Sequence, residues 1–155
     1  ACAPSLVQAA TKCRADFLLC RAATAWLVRR FIDPDATFAF VAPDEVAEFQ
    51  RREGAIGFDA PGATYPHTDA LGRCSFEALV AEYRASDRAL VAMAAIVHGA
   101  DFRDAIDSTA ESAGLRAISR GLALVAGDDP TMLERASLLY DGLYAHLAER
   151  EHLAP

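Results

Sequence analysis

Three short segments of this chain concentrate side chains that can hold a metal ion or move a proton. The first supplies His67 and Asp69, the second Cys74 and Glu77, the third His98 and Asp101. His98-x-x-Asp101 and Cys74-x-x-Glu77 share one spacing. Residues three apart on a helix stand one turn apart on the same face, so each pair can reach a single point. Imidazole, thiolate and carboxylate together suit zinc or another borderline divalent ion. On this reading His67, Cys74, His98 and Asp101 are metal ligands, zinc is the first expectation for the ion, and Glu77 is placed as a general base toward a metal-bound water. Each residue also has an ordinary structural reading. His98 can be a core histidine satisfied by Asp101 or a carbonyl, Cys74 a small buried hydrophobe, and Glu77 an acidic residue in the first turn of a helix. The spacing matches no established zinc signature.

A second group is cationic. Arg21, Arg29 and Arg30 crowd one segment and Arg73 lies further on. A guanidinium fork suits a tetrahedral oxyanion, which makes Arg21, Arg29 and Arg73 candidate ligand-binding residues. On a helix, however, Arg21 and Arg30 point to roughly opposite sides, so one site cannot use them all. Surface ion pairing is the ordinary alternative. No Gly-x-Ser-x-Gly, phosphate loop or dinucleotide fingerprint occurs. The four cysteines, Cys2, Cys13, Cys20 and Cys74, form no CxxC pair and read as reduced thiols. Cys13 and Cys20, if on one helix, stand ~10 Å apart, too far for a disulfide.

The elements that must position these residues are mostly helical. Cys20, Ala23, Leu27 and Phe31 recur at spacings of three and four, widened by Ala22 and the single tryptophan, Trp26. A helix over 15–32 is expected, stopped by Pro34. Ala1 to Lys12 is harder to read; Leu6, Val7, Ala10 and Cys13 can form a helical stripe. Thr37–Val41 and Ala55–Asp59 read as two short strands, parallel if joined through the helix that Pro43 opens and Gly54 ends. The stretch from Pro61 to Arg73 is an aperiodic loop. Ser75 is expected to cap a helix with Phe76, Leu79, Val80 and Tyr83 inward, and Asp87 to cap the next, with Leu90, Ala94 and Val97 inward. Ser108 and Glu111 form a candidate capping box before a stripe of Leu115, Ile118, Leu122 and Val125. Asp129-Pro130 opens a last helix with Leu133, Ala136, Tyr140, Tyr144 and Leu147 inward. The fold class is therefore mainly α, at most α+β: a single-domain bundle of five or six helices with two short strands. Residues 1–14 form an N-terminal segment, 15–150 the domain and 151–155 a tail.

A net charge of −7 excludes a general nucleic-acid surface for this domain alone, and no apolar run reaches the ~20 residues a membrane span needs. No basic head with an apolar stretch marks a signal peptide, and a cytoplasmic protein is expected. A homodimer or a protein partner is left open.

One long stretch adds more. Ala-Thr-Ala-Trp-Leu-Val-Arg-Arg-Phe-Ile-Asp-Pro-Asp-Ala-Thr-Phe, ending at Phe38, closely resembles the signature that opens the C-terminal domain of the ChrB chromate resistance family. The resemblance continues through Glu53–Asp59, His67, Arg73–Glu77, His98–Asp101 and Leu138–Tyr144, roughly Cys20 to Leu147 in all. The family usually has an Asp-Arg pair before the Trp motif, where this chain has Cys20-Arg21. The resemblance implies a role in chromate or metal stress, in which the two-domain members combine this region with an N-terminal domain for sensing and gene control. His67, Cys74, Glu77, His98 and Asp101 fall on family motif positions. The expected function is binding of a metal ion or small oxyanion as a sensor or accessory protein; the alternative is a small hydrolytic or redox metalloenzyme.

Overall fold

The structure, a computed structural model, describes residues 6–9 and 18–153. Among these the chain is mainly α, with six α-helices and one small sheet. β1 (Leu6–Ala9), β2 (Phe38–Val41) and β3 (Ile56–Phe58) lie in the order β2-β1-β3. Both pairings are parallel, with Leu6 opposite Phe38 on one side and Ile56 on the other. The two strands expected from the sequence, β2 and β3, both form. Leu6-Val7, which fits a helical stripe on paper, is instead the central strand between them. A four-residue run carries no decisive period, and pairing on both edges decides its conformation. Residues 10–17, which include Ala10, Cys13 and the expected helix start at Ala15, lie outside the described residues.

α1 (Leu18–Leu27) is the helix around which the others pack. α3 (Ser75–Tyr83), α4 (Arg88–Asp101), α5 (Ser112–Ala126) and α6 (Asp129–Leu153) all contact it. Every residue from Leu19 to Val28 is buried, including Arg21 and Thr24. A helix surrounded in this way needs small and apolar side chains on all sides, which accounts for Ala22, Ala23 and Ala25. It continues as one π-helical turn, Val28–Ile32, and Asp33 is extended, as a residue before proline should be. Trp26 is buried among Phe31, Tyr140 and Tyr144, with its Nε1 donating to Asp141 at 3.0 Å.

α2 (Val46–Glu53) follows a 3-10 turn opened by Pro43 and ends at the left-handed Gly54. Four expectations shift. Cys74, not Ser75, occupies the cap position of α3, and Tyr83 is exposed, with its hydroxyl 3.4 Å from that of Tyr65. α5 starts at Ser112, whose N–H is accepted by Thr109 Oγ1 at 3.2 Å, so Ser108 and Glu111 form no capping box. Its inward stripe runs through Ser112, Leu115, Ser119, Leu122 and Ala126, leaving Ile118 and Val125 exposed. Small Ser112 lets α5 approach α4 closely enough for its hydroxyl to donate to Ile96 O at 3.1 Å; a bulkier chain would hold the helices apart. Asp87 caps α4 through Leu90 N–H, as expected. α6 turns Met132, Ala136, Tyr140 and Leu147 inward and runs on through Leu153. No helix among the described residues is long and apolar enough to cross a membrane.

Candidate ion-binding site

β3 hands the chain to Asp59, at the carboxyl end of the parallel sheet, the end where open α/β sheets place their ligands. Asp59 is the only non-glycine residue with positive φ among those described, at 57°. That left-handed conformation costs free energy for a residue with a Cβ and persists only where its surroundings hold it. Here the Asp59 N–H is shared between Tyr65 O at 2.8 Å and Ser75 Oγ at 3.1 Å, while Ser75 Oγ donates to the loop carbonyls of Tyr65 and Pro66. The loop, the start of α3 and the end of β3 are thereby tied at one point.

The Asp59 carboxylate is buried and faces two partners. Arg21 Nε donates to Oδ2 at 3.1 Å, and His67 Nδ1 lies 2.8 Å from Oδ1. The bond to Asp59 raises the His67 pKa above its usual value, against the opposing effect of burial. Asp101, at the end of α4, completes the group. Its Oδ2 is 3.7 Å from His67 Nδ1 and its side chain is wholly buried. Neither Asp101 oxygen has a hydrogen-bond partner among the described residues, and neither has Arg21 Nη1. Burial pushes the Asp101 carboxyl up to about 7.

His98 lies one turn before Asp101 and turns to a different carboxylate. Its Nδ1 is 2.7 Å from Glu77 Oε2, which also accepts the Cys74 N–H at 2.8 Å. Glu77 thus closes the first turn of α3 and orients an imidazole. Both imidazoles pack on Phe102, with ring centroids 5.5 Å away for His67 and 4.5 Å for His98. Cys74 is fully buried beside Cys20. A hydrogen bond with Cys74, and then burial, raise the Cys20 thiol well above its ordinary pKa, so it is held protonated rather than as a reactive thiolate.

Of the predicted residues, the fold brings His67, Asp101 and Arg21 into one cluster, and sets the His98–Glu77 pair on the other contact of Phe102. Arg29 and Arg73 lie elsewhere. Arg29 Nε donates to Ala36 O at 3.3 Å, with its guanidinium over the Phe38 ring. Arg73 pairs with Asp69 at 2.8 Å, and Asp69 also accepts two backbone N–H groups that shape the loop. Among the described residues, no three His, Cys, Asp or Glu side chains converge closely enough to hold an ion as they stand. Asp59 and Phe102 escape a reading of the sequence for site residues. For Asp59 a signal is there: an acidic residue directly after a strand, inside the Glu53–Asp59 motif.

The architecture defines a mainly helical domain with a buried Asp–His–Arg cluster at the rim of a small parallel sheet. Residues 12–147 match the family described as ChrB, C-terminal domain, and the chain belongs to that family. It is 35% identical over 129 residues to Protein ChrB of Cupriavidus metallidurans strain CH34. That match covers 83% of this chain and 37% of the relative, so the chain spans little more than a third of that protein's length. No solved structure matches the chain.

Proposed function

We propose that this domain serves in resistance to chromate and related metal stress by binding a small inorganic ion, as a cytoplasmic sensor or accessory protein. Membership of the ChrB C-terminal family supports the physiological setting. The observation that carries the binding role is a set of buried polar atoms without a hydrogen bond among the described residues: both carboxylate oxygens of Asp101, and Arg21 Nη1, in a group joined through Asp59 and His67. A buried polar atom left without a hydrogen bond costs ~1–3 kcal/mol, and native folds keep very few of them unless something satisfies them.

Thermal unfolding in the presence of divalent cations (Zn2+, Co2+, Ni2+) and of chromate or sulfate tests this reading. A ligand that binds only the folded state stabilises it by ~2.7 kcal/mol at a hundredfold excess over Kd. One of the two classes should raise the melting temperature, and Asp101→Asn or Arg21→Gln should remove the shift. No shift with either class refutes the binding role.

A further inference from the structure

We infer that the outer face of the α5–α6 pair is a docking surface for a second copy of this chain, packed across a two-fold axis. The inference is independent of the ion-binding reading. α5 and α6 run antiparallel after a two-residue connection. Arg135 Nη1 donates to Val125 O at 2.8 Å near one end of the pair, and Arg150 pairs with Glu111 at 3.4 Å near the other. Between these ties lies an open groove of about 480 Å³. Its floor is Leu115, Leu139 and Leu143, side chains that also pack on the core.

The walls of the groove carry an apolar seam that the packing of the single chain leaves outside. On α5, Gly114, Ile118, Gly121 and Val125 follow at spacings of four, three and four, the repeat of a helix-packing seam, and all four are exposed. On α6, Leu138, Gly142 and Ala145 show the same spacing and are exposed too. Leu138 is 78% exposed and Ile118 50%. Single surface leucines are ordinary, but an aligned apolar set around a groove marks an interaction site. The glycines supply a second argument. Glycine inside a helix destabilises it relative to alanine, so packing has to justify it. At Gly99 it does, because a Cβ there would strike Ser112 Oγ of α5. A Cβ on Gly114, Gly121 or Gly142 would meet no atom of the described residues within 4 Å. The space that these three glycines keep open is of use to a helix from outside.

The face is complementary to itself, which selects a second copy as the occupant. In the antiparallel pair, Ile118 and Leu138 form a ridge toward the Val125 end, and Gly114 and Gly142 a hollow toward the Glu111 end. A two-fold axis crossing the groove between ridge and hollow lays the ridge of each copy in the hollow of the other. That is the reciprocal contact of an isologous interface, and it makes an antiparallel four-helix arrangement. The same rotation turns Glu111 of each copy toward Arg135 of the other, so the charges at the two ends of the groove match. Like-charge repulsion is low along this face. The chain carries a net −7, yet α5 holds no acidic residue. Its Arg116 turns away from the groove, to the carbonyls of Ala100 and Asp101.

The test measures the mass of the whole chain in solution by analytical ultracentrifugation, without added metal or oxyanion, from ~1 to ~100 μM. A reversible dimer is expected. Leu138→Asp, at a position already exposed, should weaken association ~100-fold with the circular dichroism spectrum intact. Gly142→Leu should also weaken it, while raising the melting temperature of the dilute chain, because it fills open space and removes a glycine from a helix. A loss of dimer that came only from damage to the fold would lower that temperature. Glu111→Arg and Arg135→Glu should each weaken the dimer, and the double variant should recover it. If Leu138→Asp does not fold, Gly142→Leu carries the test. A chain that stays monomeric to ~100 μM would overturn the inference. A dimer untouched by both Leu138→Asp and Gly142→Leu would overturn it as well, since the interface would lie elsewhere. No recovery in the double charge variant would overturn the two-fold arrangement.

Discussion

Asp59 combines two costs, a left-handed backbone at φ 57° and a buried charge. Glycine at this position would relieve the backbone but leave Arg21 without its partner, and removing one member of a buried pair costs ~3–5 kcal/mol. The strain is therefore tied to the carboxylate rather than to the turn. Asp101 is the complementary case, a carboxyl at the end of a helix whose side-chain oxygens accept no hydrogen bond from the described residues. Its folded pKa of about 7 lies above its ordinary 3.8, so between those values the native state holds a proton that the unfolded chain releases. Stability then falls as pH rises through that window. His67, also raised, adds in the same direction: its contribution is full below its ordinary 6.5 and is lost as pH rises through the folded value. In chelator-treated protein the melting temperature should decline from about pH 4 toward neutrality, and Asp101→Asn should flatten most of that decline. A melting temperature that rises over the same range would contradict a burial that raises the Asp101 carboxyl.

At the scale of elements, the close packing of α4 against the turn after it and the start of α5 sets where Asp101 can stand. A Cβ on Gly99 would lie 2.3 Å from Ser112 Oγ, 2.4 Å from Ser108 Oγ and 2.9 Å from the Ala105 carbonyl oxygen. Gly99→Ala gains ~1 kcal/mol of intrinsic helix propensity, yet the clash with a backbone carbonyl cannot be relieved by a side-chain rotation. The variant should unfold at lower denaturant concentration and weaken any ion binding that depends on Asp101; a higher unfolding midpoint would show that the 3-10 turn after α4 yields freely. Much of the element pattern is legible in the sequence. Pro34, Gly54, Pro43 and Asp87 act locally, and each marks the boundary its chemistry dictates. The inward stripe of α5 is not legible, because Ser112 and Ser119 displace bulkier Ile118 and Val125 for the sake of close packing, which no hydropathy period reports. For the site, His67, Asp101 and Arg21 are legible as chemistry. Their meeting at Asp59, and the turning of His98 to Glu77, depend on contacts between segments far apart in the chain.

Across the whole molecule, the central position of α1 joins distant parts of the chain. The Tyr140 hydroxyl donates to Leu19 O at 3.0 Å over 121 positions, and Trp26 meets Tyr140, Asp141 and Tyr144 in the same way. The sheet has the same character, since β1 is flanked by strands that come later in the chain. On the ribosome, α1 emerges long before its cover. Until α6 arrives, Trp26, Leu27 and Phe31 are surface to be shielded, and the nascent chain is a natural client for holdase chaperones. Translation arrested after Ala126 should leave a ribosome-bound chain open to protease throughout α1, and release of the segment to Leu153 should close it. Protection of α1 before α6 has emerged would mean that α3 to α5 alone suffice as its shell.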